Sequence, residues 1–102
     1  MLTIPLGAGA SNSHQRFGVQ LGENMINFEI DFISYLDTPA WSMNLLRDGS
    51  MIVSGAMLEP GSDIIQSYRA GIGQMVFTGS DVTLNNLGVE NFLVWIPPPV
   101  DI

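Results

Sequence analysis

The sequence predicts an all-β fold, a small antiparallel β-sandwich or barrel of about seven short strands. Three observations carry this expectation. Apolar and polar residues alternate with a period of two through "MINFEIDFISYL" (25–36), whose apolar residues a helical wheel would scatter. An Asp-Gly pair at 48–49 lies between two apolar runs, a strong short-range hairpin signal. Turn residues recur along the whole chain, in "GAGASNS", "LDTPA", "EPGSD", "GSD" and "NNLG".

"LTIPL" (2–6) reads as a short extended segment whose Pro5 suits a sheet edge. "GAGASNS" (7–13) reads as a flexible polar connection. "RFGVQLG" puts Phe17, Val19 and Leu21 on one face of a strand. In the next strand Ile26, Phe28, Ile30 and Phe32 share a face, while Asn27, Glu29 and Asp31 point the other way. The hairpin "WSMNLLRDGSMIVSG" (41–55) turns at Asp48-Gly49, because a type I′ turn demands positive φ at both central residues. Uninterrupted pairing from that turn sets Leu45 against Ile52, Met43 against Ser54 and Trp41 against Ala56 on the core face. Asn44 with Val53 and Leu46 with Met51 then share the opposite face, so neither face is wholly polar. "SDIIQSY" suggests one helical turn over 62–68, capped by Ser62 or Asp63. "GQMVFTG" and "LGVENFLVWI" are the last strands, and "PPP" (97–99) ends regular pairing and begins an extended tail. No internal repeat or boundary divides the chain, which predicts a single all-β domain over 1–102 with a Pro-rich C-terminal tail at 97–102.

The composition restricts the partners. Of 102 residues, 46% are apolar and only 13% charged, against roughly 25% charged in an ordinary soluble domain. Ten acids oppose three arginines, and the net charge of −7 argues against binding a phosphate backbone. No apolar run approaches the roughly 18 residues of a membrane span, and the first residues have neither the basic region nor the apolar segment of a signal peptide. So little charge with so much apolar character suggests a protein that buries part of its exterior against partners. Cysteine is absent, which excludes disulfides and thiolate metal sites.

The candidate chemistry is sparse. "GAGASN" lacks the third glycine of G-x-G-x-x-G, since Asn12 stands there, and no amphipathic helix follows it. His14 is the only histidine and falls in a polar loop, which is too little for a metal site or a catalytic triad. Glu29 and Asp31 could serve as paired carboxylates, but acids that alternate with apolar residues fit the solvated face of a half-buried strand. The residues therefore predict no enzyme, no metal and no cofactor. Trp95, beside Pro97, suits either a core position or an interface anchor. A β-sandwich that recognises a sugar or peptide through Trp95 and the acidic strand face is the alternative reading.

The order of motifs goes further. "TIPL" at 3–6, "HQRF" leading to "LG" at 21–22, Trp41-x-Met43-x-Leu45, "DG" at 48–49 and "VSG" at 53–55 run in sequence. They are followed by "PGSDII" at 60–65, "GQMV" at 73–76, "NNLG" at 85–88 and "FLVW" at 92–95. In this order, over nearly the whole chain, the sequence resembles the small baseplate plug proteins of contractile-tailed bacteriophages. It departs from them at His14-Gln15, where Asn-Gln is usual, at Val82-Thr83-Leu84 before "NLG", and in the terminal "PPPVDI". The resemblance implies a structural virion protein that closes or stabilises the distal end of the tail tube at the central hub. It also implies several copies around the tail axis, and partners among hub, tail-tube, tape-measure or spike proteins. The chain would be made in the bacterial host cytoplasm, with no specific nucleic-acid binding and no membrane partner. The residues expected to face partners are Leu46, Met51, Val53, Trp95, Pro97, Pro98 and Pro99.

Overall fold

The computed structural model describes residues 2–33, 40–61, 63–65 and 71–97. Seven strands are present: β1 (Leu2–Ile4), β2 (His14–Leu21), β3 (Asn24–Ile33), β4 (Ala40–Arg47), β5 (Ser50–Met57), β6 (Gln74–Gly79) and β7 (Asn91–Ile96). They form two antiparallel sheets, a β2-β3-β4-β5 meander and a three-stranded sheet in the order β1-β7-β6. The result is sandwich-like and not a closed barrel.

The turns explain the meander. Leu21 faces Asn24 across a two-residue turn in which Gly22 has φ 64°, the positive value that a II′ turn needs at its first central position. Asp48 and Gly49 have φ 53° and 81°, which makes the second hairpin the expected type I′. β3 alternates as its sequence predicts: Ile26, Phe28 and Ile30 are buried, and Asn27 is exposed. Phe28 lies flat on Phe17 of β2, with centroids 5.1 Å apart, and Phe32 meets Trp41 edge-on at 5.2 Å.

The register of β5 differs from the uninterrupted pairing. Arg47 faces Ser50 and Leu46 faces Met51, but Leu45 then faces Val53 and Met43 faces Ala56. Two bulges insert an extra residue each on β5, and Gly55 sits at the second with φ 74°. The side chain of Asn44 fills the break in the ladder, its Oδ1 accepting from Gly55 N at 2.7 Å. The first bulge rotates Val53 to the inner face, where it is 1% exposed.

One core lies between the sheets. Ile26, Phe28, Ile30, Trp41, Met43, Leu45 and Val53 supply one side, and Ile4, Met75, Phe77, Leu93 and Trp95 the other. Both indoles are satisfied by loop carbonyls: Trp41 Nε1 donates to Thr83 O at 3.0 Å and Trp95 Nε1 to Ile72 O at 2.7 Å. β1 is an edge strand that ends before Pro5, and Leu2 faces Trp95, so the two ends of the described chain lie side by side.

The loop between β6 and β7 is built on two asparagines. Asn86 Oδ1 accepts from Thr83 N at 2.7 Å and its Nδ2 donates to Asp81 O at 2.8 Å. Fully buried Asn91 accepts from Gly88 N at 2.8 Å and donates to Ser80 O at 3.2 Å and to Asn86 Oδ1 at 3.3 Å. Gly88 has φ 77°, and a Cβ there would stand 2.8 Å from Leu6 O, so "NNLG" is a packed corner and not loose punctuation. "GAGASNS" is likewise tied down. Gly7 exchanges two hydrogen bonds with the Gln15 amide, Gly9 N donates to Leu84 O, and Ala10–Asn12 make a 3-10 turn. Most of the helical turn expected over 62–68 falls outside the described residues. Its described part, Asp63–Ile65, docks on β6, where Ile64 N donates to Met75 O and Met75 N donates to Asp63 Oδ1.

Candidate functional site

The core absorbs the inward half of every strand, so the side chains available to partners lie on the two outward faces. The outer face of the meander has a charged half and an apolar half. Arg16 stands opposite Glu29, and His14 opposite Asp31. Arg16 Nη1 donates to Asp31 Oδ1 at 3.1 Å, its Nε lies 3.9 Å from Glu29 Oε2, and His14 Nδ1 lies 2.8 Å from Asp31 Oδ1. Asn44 Nδ2 reaches Glu29 Oε1 at 3.4 Å. Partial burial pushes the Asp31 carboxyl up. The hydrogen bonds from His14 and Arg16, with their charges, outweigh it and hold the pKa below the ordinary value. Both carboxylates are thus held by neighbours, which is the arrangement of a braced strand face and not of a free acid–base pair.

His14 opens β2 and does not sit in a loop; a regular strand pairs it with Asp31, and it remains largely exposed. Next to this row lies an open depression of about 590 Å³, lined by Arg16, Phe17, Gly18, Asn27, Phe28, Glu29 and Leu46. Met25 and Met51, each about half exposed, lie on the same side.

The outer face of the three-stranded sheet is simpler. Thr3, Val94 and Val76 form one row, and Phe92 with Thr78 and Ile96 with Gln74 flank it. None of these residues is charged, and Phe92 is 46% exposed.

The residues expected to face partners separate on this frame. Leu46 and Met51 lie on the outer face of the meander, and Pro97 is exposed. Val53 is in the core, because the bulge reverses its direction. Trp95 is also in the core, at 8% exposure with its indole N–H engaged, so it presents no ring to a sugar or peptide. Nor does it share a sheet with the acids of β3. Pro98 and Pro99 lie outside the described residues. Phe92, Val76 and Val94 were not among the expected positions. The period-two rule places them outward once Leu93 and Trp95 are known to point inward.

Among the described residues no group of three or more His, Asp or Glu side chains could hold a metal ion, and no helix is long and apolar enough to cross a membrane. A sequence model of the family described as cyanophage baseplate Pam3 plug gp18 matches residues 1–98. The chain belongs to this baseplate plug family. The match takes in every strand of both sheets, so the two-sheet framework as a whole carries the likeness. Membership makes the plug a structural component of the phage baseplate, located in the virion and assembled with other baseplate components. No curated protein matches the plug sequence.

Proposed function

We propose that this plug serves a contractile tail, closing or stabilising the distal end of the tail tube at the central hub. It acts by shape and apolar contact and catalyses nothing. The observation that most supports this reading is the uncharged outer face of the three-stranded sheet in a chain of net charge −7. A monomer free in water gains nothing from Phe92, Val94 and Val76 facing outward, whereas a protein packed among neighbours does. Leu46, Met51 and the Pro97–Pro99 segment extend the contact surface. The neighbours are hub and tail-tube proteins, with tape-measure or spike proteins next to them, and several copies surround the tail axis. The chain is one domain over 1–102, made in the host cytoplasm, and its acidic balance suits a conduit for DNA, which it repels.

A density map of the baseplate axis in purified virions tests the proposal, together with deletion of the gene. The plug is expected below the tube at the hub, and infectivity is expected to be lost without it. Virions that lack the protein, or a deletion that leaves tails assembling and infecting normally, would rule the reading out.

A further inference from the structure

An open sheet has two edges, and each edge strand presents backbone N–H and C=O groups that need partners. Three of the four edges here are blunted. β1 is only three residues long and runs into Pro5. β6 is covered from outside, where Gly61 exchanges hydrogen bonds with Phe77 and Ile64 N donates to Met75 O. β5 breaks at its two bulges. β2 differs from all three: its eight residues pair with β3 without a single shift.

Its free side can be assigned. Phe32 N donates to Ser13 O, so in this register the odd-numbered residues of β2 bond to β3 and the even-numbered ones turn their backbone groups outward. The N–H and C=O of His14, Arg16, Gly18 and Gln20 accordingly have no partner among the described residues. The strand also carries no acid, in a chain where acids outnumber bases by ten to three.

We propose that β2 is a self-pairing edge, which joins antiparallel to β2 of a second copy so that two meanders become one continuous sheet. The register that uses the full strand places Phe17 on the two-fold axis. His14 then faces Gln20 of the second copy, and Arg16 faces Gly18. No like charges stand directly opposite; the two Arg16 side chains lie diagonally across the axis, each held by Asp31 and Glu29 of its own copy. Gly18 carries no side chain to meet Arg16 of the second copy, so the two strands can close at that pair without a clash. On the other face Phe17, half-buried at the edge, meets its own counterpart on the axis, and half-buried Val19 faces Gln15 of the second copy. A two-fold interface demands such self-complementarity. The inference does not depend on the contractile-tail reading.

The test uses the absence of cysteine. Phe17→Cys creates a single thiol that lies against its own copy across the axis, in the close pairing that permits a disulfide. The wild-type chain is expected to sediment as a dimer, and the Phe17→Cys chain to link covalently under mild oxidation. Gly18→Pro removes one outward N–H and leaves the β2–β3 ladder intact, so it should lose the dimer while keeping its far-ultraviolet circular dichroism. A wild-type chain that sediments as a monomer at all accessible concentrations overturns the proposal. So does any oligomer of the Phe17→Cys chain, including a ring, in which the introduced thiol stays reduced.

Discussion

At the scale of single residues, the plug invests its polar interactions where side chains replace backbone pairing. Asn91 is the clearest case, with its amide joined to Gly88, Ser80 and Asn86 while no part of it meets water. Asn91→Leu leaves those groups buried and unpaired, and should cost about 2–4 kcal/mol, read as a lowered urea midpoint at unchanged slope. Asp31 offers a weaker effect with a defined sign. Its folded pKa lies below the unfolded value, so its contribution is present above the unfolded carboxylate range and fades as pH falls through the folded pKa. Asp31→Asn should therefore cost about 0.5 kcal/mol at neutral pH, a small figure because the group is partly exposed. The gap between the two urea midpoints should close in acid.

At the scale of elements, β5 separates what a linear pattern reveals from what it hides. The turn at Asp48-Gly49 and the faces of β3 were legible because each depends on local geometry, positive φ in one and a period of two in the other. The two bulges were not, since "MIVSGAM" alternates acceptably in more than one register and only partners on β4 choose between them. Gly55 was the available signal, because a glycine inside a strand often marks a bulge. It flags only the second bulge; the first, between Met51 and Val53, carries no glycine, and missing it put Val53 outside beside the true outward positions, Met51 and Leu46. The same cause concealed the corner at 80–91, whose hydrogen bonds join residues that no spacing rule connects. Paired substitutions test the register. Val53→Ala should cost about 2 kcal/mol through the cavity it leaves, and Met51→Ala less than about 0.5 kcal/mol. Equal losses in chemical denaturation would mean that the bulges are misplaced.

At the scale of the whole molecule, charge and hydropathy are segregated. Among the described residues, the acids outside β3 lie in turns and loops, at Glu23, Asp48, Glu59, Asp63, Asp81 and Glu90. The three-stranded sheet keeps its outer face free of charge, and its strand pattern was visible in "NFLVWI" once one face had been assigned to the core. Phe92→Arg tests whether that face meets a neighbour. The isolated protein should keep its stability within about 0.5 kcal/mol, as is usual for an exposed position. Incorporation into virions, measured by immunoblot of purified particles, should fall sharply; normal incorporation would remove this face from the assembly.

The pairing of Leu2 with Trp95 has a practical corollary. Because the first and last strands are neighbours in one sheet, a short linker could join their ends, and the chain could be reopened between Asp48 and Gly49. Such a circular permutant keeps every strand of both sheets and alters only their covalent order. For imaging, labels at Leu2 and at Pro97 would report the same spot, the margin where β1 meets β7, far along the sequence from the hairpin tip.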